Sequence, residues 1–456
     1  MIQECILQMV DVSFSESDAA SIPATWIGGL QTALALATDG HEVTLLESVK
    51  KFLEVGAGIR VPPNSSRLSV AWGVDFAWIQ KEVSLGNRFV DWHGKKLVDC
   101  PFDDVVDTYG APYYFIHRAD LIDALVTAVS KKPNIDLRMD THVESYDFDV
   151  PSVKTRTGQV FSADLIVCAD GIKSAARTAI NGSPIDPVDT GDVAYRILVP
   201  AEPLLADPET ADLVKNAWAV HWMGPEGHAV GYPLRGGRLY NIIIDVTHRT
   251  DLGTPINLDE WRSEAEGATL VERFKDWCPQ VRKLCALTGQ YLKWKLADFA
   301  ALERWVHPSG RAVLLGDACH PMMPYMAQGA AQATEDAAAL AAALRAHERD
   351  LPGALQVYER VRKPRAAYVA HNTRILQEWL HLYDGPEAAR RDELMKHRNS
   401  QNPVFWADPR RREWLFAHDA TKLDGGAEIP PPPPLPSANQ SVYKDIPREL
   451  PPGVDM

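Results

Sequence analysis

Nothing in the chain stays apolar for long enough to cross a membrane; no run reaches the ~18 consecutive apolar residues that a spanning helix needs. A basic start is missing too. Met1 to Ala24 contains Glu4, Asp11, Glu16 and Asp18 but neither Lys nor Arg. The basic beginning and apolar centre of a secretory signal are therefore absent, and a cytoplasmic location is expected. Positive charge is in deficit: 47 Lys and Arg against 61 Asp and Glu leave a formal charge of −14. Nucleic-acid surfaces are usually basic, so that class is set aside. Cysteine is sparse. The six, Cys5, Cys100, Cys168, Cys278, Cys285 and Cys319, show no C-x-x-C spacing. That excludes a zinc ribbon, so no metal site is expected and free thiols in a reducing compartment are the default. No internal repeat is found.

What is present suits a soluble globular protein with more than one core: 456 residues, 46% of them apolar. Thirteen Trp read as core filling. From Gly425 onward the run Pro430 to Pro434 reads as an extended, solvated tail.

Ile27 to Thr38 places Ile27, Leu30, Leu34 and Ala37 at helical spacing, with Gly40 as a stop. The β-rich run "HEVTLLE" follows and ends at Glu47. A helix, then a strand ending in an acid, is the second half of a dinucleotide-binding unit, the acid accepting hydrogen bonds from ribose hydroxyls. The glycine loop before the helix is incomplete. Gly29 stands at its third glycine position with Gly28 beside it, but Ala24 and Trp26 occupy the first two glycine positions. A Trp there is expected to collide with the pyrophosphate. "SESDAASIP" is too polar for the preceding strand, and "CILQMVDVSF" reads as apolar enough but too far upstream. Residues 1–20 are accordingly expected to be an extension, a candidate non-native one.

Three further segments carry strand–turn–helix patterns. "RAVLLGDACHPMMPYMAQGAAQATEDAAALAAAL" starts with a buried strand and turns at Gly316–Asp317. Pro321 and Pro324 stiffen its loop, and an Ala-rich helix opens near Gln328. A carboxylate at a strand's C-terminal end can bind a sugar-alcohol chain, and the helix N-terminus favours an anion. "ADLIVCADGIKSAAR" turns at Asp170–Gly171, and "FIHRADLIDAL" runs a strand into Arg118 with Asp120 as the expected N-cap. These segments resemble the GD, DG and arginine motifs of FAD-dependent aromatic monooxygenases, single-component flavoprotein hydroxylases of the salicylate-hydroxylase type. "EVGAGIRVPPNSSRL" resembles the loop that follows the family's ribose-binding acid, with Arg60 where a glutamine is more usual. The likeness covers Ile27 to about Asp384.

The resemblance implies an α/β fold: a Rossmann-like FAD-binding domain, an inserted, mostly antiparallel β substrate domain, and C-terminal helices. It assigns residues 21–75, 110–182 and 291–345 to the flavin domain and 76–109 and 183–290 to the substrate domain. Residues 346–420 read as helices interrupted at Pro364, and 421–456 as the tail. Gly28, Gly29, Glu47, Gly58, Arg60, Arg118, Asp170, Asp317, Gly329 and Ala330 are implied to hold FAD. Arg196 in "VAYRILV" and Tyr232 in "VGYPLR" are the candidate catalytic pair. An arginine stabilises a phenolate, and a tyrosine relays its proton. His221 and Trp222 are further pocket candidates; His320 reads as structural.

The expected reaction is hydroxylation of a phenolic or hydroxybenzoate-type ring with NADPH or NADH and O2, through a flavin C4a-hydroperoxide. No nucleic-acid partner is expected, and the oligomeric state is left open. Three alternatives stand beside this reading: an FAD-deficient relic acting as a binding protein, an NAD-dependent dehydrogenase without flavin, against which the GD motif argues, and a flavin oxidase or dehydrogenase that inserts no oxygen.

Overall fold

Strands buried on both faces read as continuous apolar runs, and half-buried ones alternate; the chain uses both kinds, in two main sheets. A computed structural model describes residues 4–9, 25–52, 57–247, 262–423 and 430–438. One sheet has five parallel strands in the order Ala312–Leu314, Leu165–Cys168, Glu4–Met9, Glu42–Glu47, Ile135–Arg138. Every residue of Leu165–Cys168 and of Ala312–Leu314 is buried, because helices cover both faces. Thr25–Thr38 and the Ala-rich helix Gly329–Ala346 pack together there. An added Cβ on Gly28 would lie 3.1 Å from Ala333 Cβ and 3.3 Å from Leu315 Cδ2, so Gly28 permits this close approach.

The second sheet has eight strands. Their order is Arg262–Glu266, Gln290–Asp298, Val188–Pro200, Leu239–Thr247, Gly227–Leu234, Trp218–Gly224, Gly86–Asp91, Lys96–Pro101. All neighbours are antiparallel except Trp218–Gly224 with Gly86–Asp91. One face buries Tyr195, Ile197, Trp222, Tyr240 and Ile242 in a core with Leu270, Phe274 and Val281. The other buries Phe89, Val230 and Tyr232 in a core with Met323, Tyr325, Met326 and the C-terminal helices.

Several expectations are corrected. Glu4–Met9 is no extension: it is the middle strand of the parallel sheet, paired with Leu165–Cys168 on one side and Glu42–Glu47 on the other. Distance along the chain misled the sequence reading, since a strand can be joined to its helix by a longer segment. Residues 10–24, Ala24 included, and the side chain of Trp26, which opens the helix Thr25–Thr38, lie outside the described residues, and with them the expected conflict at the pyrophosphate. Gln290–Asp298 pairs with Val188–Pro200 in the eight-stranded sheet, although residues from 291 on were expected in the flavin domain. Asp120 is not the cap: the helix Arg118–Ser130 is capped at His117, and Asp120 instead binds Arg235 at 2.6 Å. The helix Leu351–Leu380 runs unbroken through Pro364. An interior proline costs about 3 kcal/mol. Arg362 and Arg365, buried on either side of it, both ion-pair with Glu335 and hold the two halves in one helix.

The proline run is not solvated along its length. Pro432, Leu435 and Ala438 are buried while Pro431, Pro433 and Ser437 are exposed, the three-residue period of a polyproline II helix. Tyr368 Oη donates to Pro432 O at 2.7 Å, Arg411 Nη2 to Pro434 O at 2.8 Å and Trp379 Nε1 to Pro436 O at 2.6 Å. An aromatic groove with side-chain donors is how such helices are recognised, and only the folded helices assemble it. All six cysteines are free and buried. Among the described residues no helix is long and apolar enough to cross a membrane.

Candidate functional site

The DG and GD turns leave neighbouring parallel strands at the same end of the sheet, because Leu165–Cys168 and Ala312–Leu314 are paired in register. Gly28, Ala169, Leu315, Gly316, Asp317, Gly329 and Ala333 line one recess there. Gly316 has φ +64°, a left-handed conformation that favours glycine. Arg177 donates to Ala318 O at 3.2 Å and so ties the DG segment to the GD turn. Burial raises the Asp317 carboxyl, against the pull of His320 and Arg118. Arg118 is thereby placed within electrostatic reach of Asp317. Burial also raises Asp170, whose Oδ2 accepts from Ala176 N–H at 3.2 Å while its Oδ1 has no protein partner. Glu47 is buried at the end of its strand, with Oε1 accepting from Val49 N–H at 2.9 Å.

These residues fit FAD. A bare-backbone recess sits at the start of the helix Gly329–Ala346, whose cap residue Gln328 makes no side-chain cap bond and whose Gln328 Nε2 has no partner. Free N–H groups and a positive dipole end suit an anionic group. Asp170 and Asp317 supply acceptors for hydroxyls.

A charge cluster that the sequence reading missed lies beneath the GD turn. Asp336 accepts from Gly316 N–H at 3.0 Å and meets His320 at 2.5 Å and Arg362 at 2.7 Å. Glu335 meets Arg362 at 2.6 Å and Arg365 at 2.7 Å, and accepts from Asn64 Nδ2 at 2.7 Å. Burial pushes both carboxyls up, but the arginines, with His320 for Asp336, outweigh it and hold both below the ordinary range. His320 is therefore a strut of the turn, in keeping with its structural reading. Cys319, His320 and Asp336 come close enough to hold a cation, but Arg362 already neutralises Asp336.

One face of the eight-stranded sheet gathers most of the other candidates. Period-two alternation sends Arg196, Asn241, Tyr232 and His221 to one face and Trp222 to the other. Trp222 Nε1 reaches Gln280 on the helical side, so it is not part of this pocket. Arg196 lies over the Trp294 ring at 4.5 Å; burial lowers its pKa while Asp245 and Tyr232 oppose this. Burial raises the Tyr232 phenol, so it is a hydrogen-bond donor at neutral pH. Its ring meets Phe115 at 4.6 Å, and a Cβ on Gly58 would come within 2.6 Å of it. Gly58 therefore serves the tyrosine's seat, its N–H donating to Asn241 Oδ1 at 2.7 Å. Arg60 also points here rather than to the nucleotide recess: Nη1 donates to Asn87 Oδ1 at 3.2 Å and lies 3.4 Å from His221 Nε2.

A hydrogen-bonded chain joins this face to the GD loop. Tyr325 donates to Asp192, which accepts from Thr247 at 2.7 Å. Thr247 meets His381 at 3.0 Å, His381 meets His228 at 2.8 Å, and His228 lies 3.5 Å from Asp245. Burial, then Asp192, raises Asp245 well above the carboxylate range; burial, then Arg273, lowers His381 to about 3. At neutral pH His381 is therefore uncharged. Nothing in the local sequence around any of these groups marks the chain, since its members come from five separate segments.

A protein-family model described as an FAD binding domain matches residues 27–373. The chain is 34% identical over 415 residues to the FAD-dependent monooxygenase OpS4 of Beauveria bassiana, across 88% of this chain and 95% of that protein. It is 32% identical over 410 residues to 3-hydroxybenzoate 6-hydroxylase 1 of Aquipseudomonas alcaligenes, across 88% and 98%. A solved salicylate hydroxylase substrate complex has a similar fold, with a TM-score of 0.74 at 23% identity over 94% of this chain and 97% of the other.

Proposed function

The chain belongs to the FAD-binding-domain family of flavoprotein monooxygenases, and we propose that it hydroxylates a phenolic or hydroxybenzoate-type ring using NADPH or NADH and O2. One observation carries the reading. Val230 and Tyr232 of the sheet face share a buried core with Met323, Tyr325 and Met326 of the GD loop, so the candidate catalytic tyrosine sits against the flavin motif in a buried apolar interface. Bound FAD, reduced by the nicotinamide nucleotide, supplies the oxygen chemistry. The chain's own residues do the rest. The Arg196 guanidinium stabilises negative charge on a phenol oxygen, and the Tyr232 hydroxyl donates to it or passes on its proton. Phe89, Phe115 and Tyr232 give the ring an apolar, aromatic seat. The buried interface keeps water away from the reacting atoms.

The test is product mass. The FAD-loaded protein is incubated with NADH or NADPH, oxygen and a panel of phenols and hydroxybenzoates. Gain of one oxygen atom by the ring, with labelled O2 as its source, is expected. Substrate oxidation without oxygen gain would make the protein an oxidase or dehydrogenase.

A further inference from the structure

Arg60 is 7% exposed and forms no ion pair with any described carboxylate; its polar neighbours are Asn87 and His221. Burying a guanidinium without an anion is costly unless a ligand supplies one. Three further buried donors near it lack protein partners: Asn87 Nδ2, Asn241 Nδ2 and the Tyr113 hydroxyl. Both amides are oriented by their other ends. Asn87 Oδ1 accepts from Arg60 and Asn241 Oδ1 accepts from Gly58 N–H, which leaves each Nδ2 to a ligand. Asp245, a buried acid within electrostatic reach of Arg60, is pushed well above the ordinary carboxyl range by burial, then by Asp192, against the pull of Arg196 and Arg60. Burial and Arg60 together keep His221 neutral. The sheet face thus carries the guanidinium groups of Arg60 and Arg196 beside uncommitted donors and aromatic walls: Phe89 stacks on His221 at 4.5 Å.

We propose that Arg60, with Asn87 and Tyr113, is an anion-selecting subsite that holds the carboxylate of an aromatic acid. This assignment rests on the hydroxylase reading and sharpens it: the substrate is an aromatic acid rather than a neutral phenol. A guanidinium binds a carboxylate through two parallel N–H donors, a geometry neither lysine nor an amide reproduces.

The experiment titrates FAD-loaded protein with matched pairs, salicylate and salicylamide, 3-hydroxybenzoate and 3-hydroxybenzamide, following the flavin absorbance change. The parent protein should prefer the carboxylate of at least one pair by about ten- to a hundredfold, the span of a charge-assisted bond. Arg60→Gln should abolish that preference with amide affinity and FAD content unchanged, and Arg60→Lys should restore part of it. Equal affinity for acid and amide in the parent, no binding by any of the four, or a preference that survives Arg60→Gln, would overturn the subsite. Loss of FAD affinity in Arg60→Gln with an unchanged ligand ratio would also overturn it, by making the flavin the anion served. The two readings separate in the product assay. Arg60-dependent acid binding without oxygen insertion keeps the subsite and removes the hydroxylase. Hydroxylation of an aromatic acid whose affinity is unaffected by Arg60→Gln does the reverse.

Discussion

Replacing Arg362 with Met removes the guanidinium that bridges two buried carboxylates. Its Nη1 lies 2.6 Å from Glu335 and its Nε 2.7 Å from Asp336, and all three side chains are sealed from water. Deleting one partner of a buried pair costs about 3–5 kcal/mol, because the remaining charge is left uncompensated. Some compensation survives here. Glu335 keeps Arg365, and Asp336 keeps His320 and the Gly316 N–H. The expected loss is therefore at the lower end, about 3 kcal/mol. Its pH dependence follows from sign. Both carboxyls have folded pKa values below their unfolded ones, so their contribution is complete above the unfolded value of about 4 and fades as pH falls further. Urea unfolding followed by Trp fluorescence should show a constant gap between parent and Arg362→Met from pH 7 to pH 5, narrowing below about 4. FAD affinity should fall as well, since Asp336 holds the Gly316 turn. A gap under about 1 kcal/mol at pH 7, or one that widens in acid, would refute the view of this cluster as the support of the GD turn.

Asp317→Ala should weaken FAD binding roughly ten- to a hundredfold, read by quenching of flavin fluorescence on titration; unchanged affinity would remove Asp317 from the flavin site. Arg196→Ala and Tyr232→Phe should keep FAD but divert NAD(P)H oxidation into hydrogen peroxide, and hydroxylation at the parent rate in both would move the pocket elsewhere. Leu7 is fully buried in the middle strand, so Leu7→Ala should cost about 2–5 kcal/mol in urea unfolding; a cost near zero would mean that Glu4–Met9 is dispensable. Leu435→Asp should undo about 2–3 kcal/mol of apolar docking and expose Trp379 and Trp414, raising acrylamide quenching of Trp fluorescence, whereas unchanged quenching would show that the proline segment is held without Leu435.

The family and the α/β character were legible because their signals are local. A strand, a Gly–Asp turn and a helix sit within one contiguous segment at Ala312 to Leu344, a strand, an Asp–Gly turn and a helix within another at Leu165 to Asn181, and apolar periodicity reports each element without knowledge of its neighbours. Arg196 and Tyr232 were chosen from sequence as one site, and the sheet register sets both on the same face.

The partners belong to tertiary structure. Periodicity says which face of a helix is apolar, but not that Glu335 and Asp336 would find Arg362 and Arg365 on the next one. Arg60 was expected at the flavin from its place in a motif, yet only the pairing of its strand turns the guanidinium into the sheet. Glu4–Met9 was discounted by its distance from the helix, although hydrogen bonding to two flanking strands, not chain separation, decides membership of a sheet. The proline run looked solvated by composition, and the groove that buries every third residue exists only once the helices bearing Tyr368, Trp379 and Arg411 have packed. Sequence alone settles what a segment can form. What it meets depends on long-range contacts, whose energy appears only when distant segments are brought together.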